Sequence, residues 1–219
     1  MTTESLYPFL YGRAVDADEL LADVARSTRE KVAEIGRLRA TMLASEGSAL
    51  VTCASAMAER FDRGGRLYVF GNGGSSTDAL AVATLYTTPG RGARPLPAVS
   101  LSADVATLTA LANDVGFEVV FARPIAAAGR PVDMALGLST SGGSANIVRG
   151  LEAAHRSGML TVGLAGYSGG AMAEAAERGE VDHLFVMPSV SVHRIQEAQT
   201  TVYQVLWELV QVALSQSSA

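Results

Sequence analysis

The stretch Arg66-Leu-Tyr-Val-Phe-Gly-Asn-Gly-Gly-Ser-Ser-Thr-Asp78 decides how this chain folds. Leu67 to Phe70 are apolar, aromatic or β-branched, the pattern of a strand buried on both faces. A glycine-rich turn follows, and then a run from Ser75 to Tyr86 that reads as a helix. Four further runs repeat the strand pattern, at residues 96–101, 132–138, 160–165 and 183–187. Helical segments lie between them over roughly 104–112, 117–127, 144–157 and 170–177. Strands that alternate with helices make βαβ units, which assemble into a parallel sheet covered by helices on both faces.

Upstream of this core, residues 1–15 carry Tyr7, Phe9, Leu10 and Tyr11 between helix breakers, and read as an arm that packs on its own domain or on a neighbouring subunit. From Asp16, a candidate N-cap, Leu20, Leu21, Val24, Val32, Ile35 and Leu38 recur at helical spacing. A second helix is expected from about Glu46 to Arg63, closed by Gly64-Gly65. Downstream, residues 193–214 form a last helix whose apolar arc is wider than one core-facing stripe requires, which implies contact with further helices. The organisation expected is an arm over 1–15 and one domain over 16–219. That domain comprises two N-terminal helices over 16–63, a sheet-and-helix core over 66–190 and a C-terminal helix over 193–214.

With 219 residues, 48% of them hydrophobic and 18% charged, the chain can bury a sizeable core. A net charge of -5 gives no electrostatic reason to bind nucleic acid directly or an anionic membrane. An anion must therefore be gripped by backbone N–H and hydroxyl groups. The one cysteine, Cys53, excludes an internal disulfide, and its apolar neighbours read as the setting of a buried thiol. Neither a signal peptide nor a membrane span is visible, so the expected compartment is the cytoplasm. His155, His183 and His193 are scattered, and no metal site or cofactor is expected.

Two loops carry the chemistry. The first, Gly71 to Asp78, lets the backbone turn tightly at the positive end of a helix and places Ser75, Ser76 and Thr77 there. It is neither a P-loop, since no lysine follows, nor a dinucleotide fingerprint. The second, Ser139-Thr-Ser-Gly-Gly-Ser-Ala-Asn146, again joins strand to helix with clustered hydroxyls. Each alone is compatible with an ordinary helix cap. Both together, at the carboxyl ends of strands in one parallel sheet, point to a phosphate monoester held by neutral donors.

The strand–GNGGS–helix unit, Asn113-Asp114, the STSG of Ser139 to Gly142 and the RIQE of Arg194 to Glu197 occur in the order and spacing of the SIS (sugar isomerase) family. The chain resembles in particular its phosphoheptose (sedoheptulose 7-phosphate) isomerase branch, which also contains a replication-initiator-binding regulator. The resemblance implies a three-layer α-β-α sandwich with a five-stranded parallel sheet, long terminal helices and a homotetramer with sites at subunit interfaces. Ser139, Thr140, Ser141 and Ser144 match the family's phosphate loop, while Asn72 and Ser75, with Gly73 and Ser76 beside them, match its first ligand loop. Asp104 falls on an aspartate that contacts the sugar, and Gln196 on a glutamine that faces the sugar or a bound metal. Gly143 stands where the family usually has asparagine.

The family's proton-transfer glutamate and histidine fall on Leu85 and Gln204, and the further histidine of metal-binding members falls on Ala81. Leucine and glutamine cannot take the proton that an enediol mechanism requires. Glu197, His193 and Asp104 are the residues left near the expected site that titrate. Two expectations follow from the resemblance. One is a sugar-phosphate-binding protein that acts as a sensor, a partner of another protein or an accessory to an active paralogue. The other is an aldose–ketose isomerase with a relocated base.

Overall fold

The computed structural model describes residues 17–217, and the expected arm and the Asp16 cap lie outside the described residues. The first element is α1 (Ala17–Asp62), one uninterrupted helix of 46 residues. This corrects the expectation of two helices over 16–63. Residues 39–45 contain neither glycine nor proline, and their arginine, alanines, methionine and leucine are strong helix formers. Gly64, in a left-handed conformation, ends the helix where the sequence expects the stop.

By its contacts the chain divides into two compact units, residues 1–37 and 38–219. The described part of the first is the opening of α1, where Leu20, Leu21, Val24 and Val32 are exposed. The second holds the remainder of α1 and every later element.

Its sheet contains β1 (Leu67–Gly71), β2 (Ala98–Ser100), β3 (Met134–Ser139), β4 (Leu160–Gly166) and β5 (His183–Met187). All pairs are parallel, in the order β2-β1-β3-β4-β5. The helices are α2 (Gly74–Thr87), α3 (Val105–Asp114), α4 (Ala122–Ala128), α5 (Ala145–Arg156), α6 (Gly170–Glu177) and α7 (Val192–Ser217). This is the five-stranded α/β fold that the resemblance implied.

Every residue of β1, β3 and β4 is buried, which is why these strands read as continuous apolar runs. Tyr68 and Phe70 of β1 enter the cluster formed with α4, α5 and α6, and Phe70 stacks on Phe121 at 5.2 Å. Alternation along the strand turns Leu67 and Val69 to the opposite face. There α2 and α7 pack on the strands, and Phe61 of α1 stacks on Tyr86 of α2 at 5.7 Å. Cys53 is fully buried on this side, and burial first, with the Asp182 carboxylate second, pushes its thiol up to about 12.

Two elements are shorter than expected. The helix anticipated over 117–127 is a 3-10 turn at Phe117–Val119 followed by α4, because Pro124 has no N–H to offer the Val120 carbonyl. At the sheet's edge, β2 starts only after Pro97, which cannot donate to a ladder. Among the described residues, no helix is long and apolar enough to cross a membrane.

With all strands parallel, the loops after β1, β2, β3, β4 and β5 leave from one edge. Strand β1 leads outward to β2 on one side, while β3 lies on its other side, so the chain reverses between β1 and β3. Open α/β sheets form a crevice at the carboxyl ends of strands at such a point.

Candidate functional site

The loops after β1 and β3 flank that crevice and are tied to each other. Asn72 Nδ2 donates to Asn146 Oδ1 at 2.8 Å, and Asn146 Nδ2 donates to Asn72 Oδ1 at 2.8 Å. Asn146 is 3% exposed, so this reciprocal pair is a nearly dry clamp across the crevice.

The Ser139–Ser144 loop gathers hydroxyls at the start of α5. Ser139 Oγ lies 3.1 Å from Ser144 Oγ and 3.4 Å from Ser141 Oγ, while Gly143 N donates to Ser141 Oγ at 3.1 Å. Ser144 is the N-cap of α5, yet its side chain makes no capping bond. The cluster therefore sits at a helix N-terminus without being consumed by the helix, which suits an anion. Thr140, in the same loop, is half-buried. Gly142 is required: its φ is +65°, and a Cβ would come within 2.0 Å of the Gly169 carbonyl oxygen. Gly142's own carbonyl accepts from Met172 N at 2.9 Å, which braces the loop against α6.

In the first loop, Gly73 turns with φ 52°. Ser75 is buried, whereas Ser76 Oγ and Thr77 Oγ1 donate to the Gly73 and Gly74 carbonyls at 2.6 and 2.5 Å. Those two hydroxyls thus serve the helix start. At Gly74 a Cβ would come within 2.2 Å of Gln196 Nε2, so the glycine is what lets the start of α7 lie against this loop.

Gln196 shares a cleft of about 320 Å³ with His193, Glu197, Thr77 and Asp78. Glu197 is ion-paired with Arg194. Burial raises the Asp78 carboxyl above its ordinary value. Asp104 stands apart from this cleft. It caps α3, accepting from Thr107 N at 3.0 Å and Thr107 Oγ1 at 2.6 Å, and these bonds hold its exposed carboxyl below the usual range. Asn113 and Asp114 close the same helix, with Asn113 Nδ2 donating to Asp114 Oδ1 at 2.7 Å.

Leu85, Ala81 and Gln204, placed together only by alignment in the sequence, meet in space. With Thr77, Leu80, Thr84, Thr88 and Tyr203 they line a second cleft of about 560 Å³ between α2 and α7. One side-chain amide, with no imidazole or carboxylate, does not fit the divalent ion of metal-binding family members. Among the described residues, no three His, Cys, Asp or Glu side chains come together to hold a metal ion.

Sequence reasoning gave no role to Asn146 or Asp78. The Asn146–Asn72 pair spans 74 positions, and no local pattern carries it. Asp78 needed the packing of α7 on α2 to acquire neighbours.

Comparison with known proteins is consistent with this geometry. A family model described as SIS domain matches residues 32–166. The phosphoheptose isomerase of Roseiflexus sp. (strain RS-1) is 40% identical over 201 residues, covering 91% of this chain and 92% of that protein. That of Aquifex aeolicus (strain VF5) is 40% identical over 170 residues, covering 77% and 86%. The structure of phosphoheptose isomerase GmhA from Neisseria gonorrhoeae superposes with a TM-score of 0.77 at 31% identity, over 88% of this chain and 99% of that one.

Proposed function

Since this chain belongs to the SIS-domain family, we propose that it binds a sugar phosphate and does not isomerise it. The observation that supports this reading is a contrast between the loop after β3 and the cleft between α2 and α7. The hydroxyl cluster of Ser139, Ser141 and Ser144 stands together, while Leu85, Ala81 and Gln204, the positions that the resemblance matches to the family's proton-transfer and metal residues, line a cleft without a carboxylate or imidazole. Ser139, Thr140, Ser141 and Ser144, with the first N–H groups of α5, take the phosphate oxygens. Asn72, Gly73, Ser75 and Ser76 frame the other side of the crevice, and Gln196 supplies an amide to the sugar hydroxyls. Asp104, on the β2 side, is left to contact the sugar from its capping position.

A sugar phosphate held without turnover fits a sensor, a partner of another protein or an accessory subunit to an active paralogue. The same reading takes the protein as a cytoplasmic homotetramer with sites at subunit interfaces. The exposed Leu20, Leu21, Val24 and Val32 stripe of α1 supports an assembly.

A second reading, an active isomerase with a relocated base, is favoured by one observation: His193 and Glu197 open onto the same cleft as Gln196. Either could move a proton between C1 and C2 if the sugar reaches them.

Binding is tested by calorimetric titration with sedoheptulose 7-phosphate. The Ser139→Ala/Ser141→Ala variant is expected to bind more weakly by about 1–3 kcal/mol, the cost of losing bonds to a charged group. Unchanged affinity would remove the phosphate from this loop.

A further inference from the structure

Among the described residues, Tyr167 is the one non-glycine with a left-handed backbone, at φ +52°. It is the second residue of the turn Gly166-Tyr-Ser-Gly169 that follows β4, closed by Gly169 N donating to the Gly166 carbonyl at 2.9 Å. Turns with a positive φ at this place ordinarily take glycine, asparagine or aspartate there, because a Cβ crowds the following carbonyl oxygen. A tyrosine held in this way is strained. Burial does not offset the strain in full, since the residue is 40% exposed.

The turn runs along the Ser139–Ser144 loop. A Cβ on Gly166 would come within 2.4 Å of the Thr140 carbonyl oxygen, and one on Gly170 within 2.7 Å of the Ser141 carbonyl oxygen. Gly142 meets Gly169 as closely. Three glycines of one loop are thus seated on three successive residues of the other. Tyr167 stands one peptide bond, about 3.8 Å between Cα atoms, from the Gly166 contact. Strain of this kind persists where the surroundings over-determine the backbone, and it gathers at ligand clamps. The Ser139–Asn146 loop contains no charged residue, so an anion there depends on neutral donors. A phenol is one more such donor, on a rigid ring that loses little freedom on binding.

We propose that Tyr167 is a ligand contact of this site, and that its hydroxyl donates to an oxygen of the bound phosphate. The inference rests on the phosphate assignment made above. It gives the loop after β4 a place in the site, and it explains why that turn holds a tyrosine where glycine would sit without strain.

The test is calorimetric titration with sedoheptulose 7-phosphate, together with thermal denaturation. It uses the unaltered protein, Tyr167→Phe, Tyr167→Gly and Ser139→Ala/Ser141→Ala. Tyr167→Phe is expected to keep the melting temperature and to bind about 10- to 150-fold more weakly, the range for one bond to a charged group. Tyr167→Gly is expected to bind at least as weakly. It should melt at the same temperature or up to about 4 °C higher, because the strain is released. Tyr167→Phe that binds as tightly as the unaltered protein, with the double serine variant weakened, would overturn the contact and leave the phosphate loop standing. Tyr167→Gly that melts lower and binds unchanged would make the ring a packing residue, and overturns the contact as well. Unchanged binding by the double serine variant would overturn the phosphate assignment and the contact with it.

Discussion

The two edges of the sheet treat their polar groups in opposite ways. At the amino edge they satisfy one another. Asp133, whose side chain is 0% exposed, accepts from Arg66 N and Arg130 N at 2.9 Å and from Arg130 Nη2 at 2.8 Å. Asp182 accepts from Thr161 N and Thr161 Oγ1, both at 2.8 Å. At the carboxyl edge the Ser139, Ser141 and Ser144 hydroxyls have mainly one another, at 3.1 to 3.4 Å, and the N-cap serine does not cap. One edge is complete as folded. The other keeps donors that a ligand would complete, and the parallel direction of every strand is what sorts them so cleanly.

Substitutions should therefore separate stability from binding. The largest effect is expected from Asp133→Ala, which empties a fully buried side-chain position and strands two part-buried N–H groups. It should cost roughly 3 kcal/mol in chemical denaturation while leaving the phosphate affinity of the folded fraction unchanged.

The same residue sets a pH dependence. Burial, the largest single influence, raises the Asp133 carboxyl, but the bonds from Arg130 and Arg66 together outweigh it and hold the group below its ordinary value. A carboxyl depressed in the folded state contributes stability above its unfolded value, near 3.8, and loses it as pH falls through the folded value. Denaturation measured from pH 7 to pH 3 should show that loss, and Asp133→Asn should flatten the acid limb.

The carboxyl edge should answer in the reverse sense. Ser139→Ala/Ser141→Ala should reduce phosphate affinity about 5- to 150-fold with thermal stability nearly intact, since beyond one another these hydroxyls meet only the Ser144 hydroxyl and the Gly143 N–H of the same loop. A large fall in melting temperature without a change in affinity would erase the distinction between the edges.

The smallest effect, and a gain, is expected at Gly143. A Cβ there would meet only Ser141 Oγ at 3.8 Å, so Gly143→Asn fits, and it should tighten phosphate binding by about 0.5–1.5 kcal/mol in the same titration.

What the sequence disclosed was what local chemistry determines. Leu67 to Phe70 read as a strand because both of its faces are buried, and the Gly71–Asp78 loop reads as a ligand loop only beside the Ser139–Asn146 loop, because glycines and hydroxyls at one helix start also make an ordinary cap. Asp104 shows the limit of carrying a role across a family. Its place before an apolar run, with Thr107 three residues on, is also an N-cap pattern, and the structure uses it as one. The continuity of α1 is not legible in its composition, where only a missing breaker distinguishes one helix from two. The Asn72–Asn146 clamp and the groove between α2 and α7 are tertiary, and no periodicity announces them.

The central claim, a phosphate cradle retained without proton transfer, is tested most directly by incubating the protein with sedoheptulose 7-phosphate in deuterated water. NMR then follows C1 and C2, and thermal shift is recorded on the same sample. The account predicts stabilisation by the ligand and no incorporation of deuterium. Incorporation that disappears in His193→Gln or Glu197→Gln would contradict it and establish an isomerase with a relocated base.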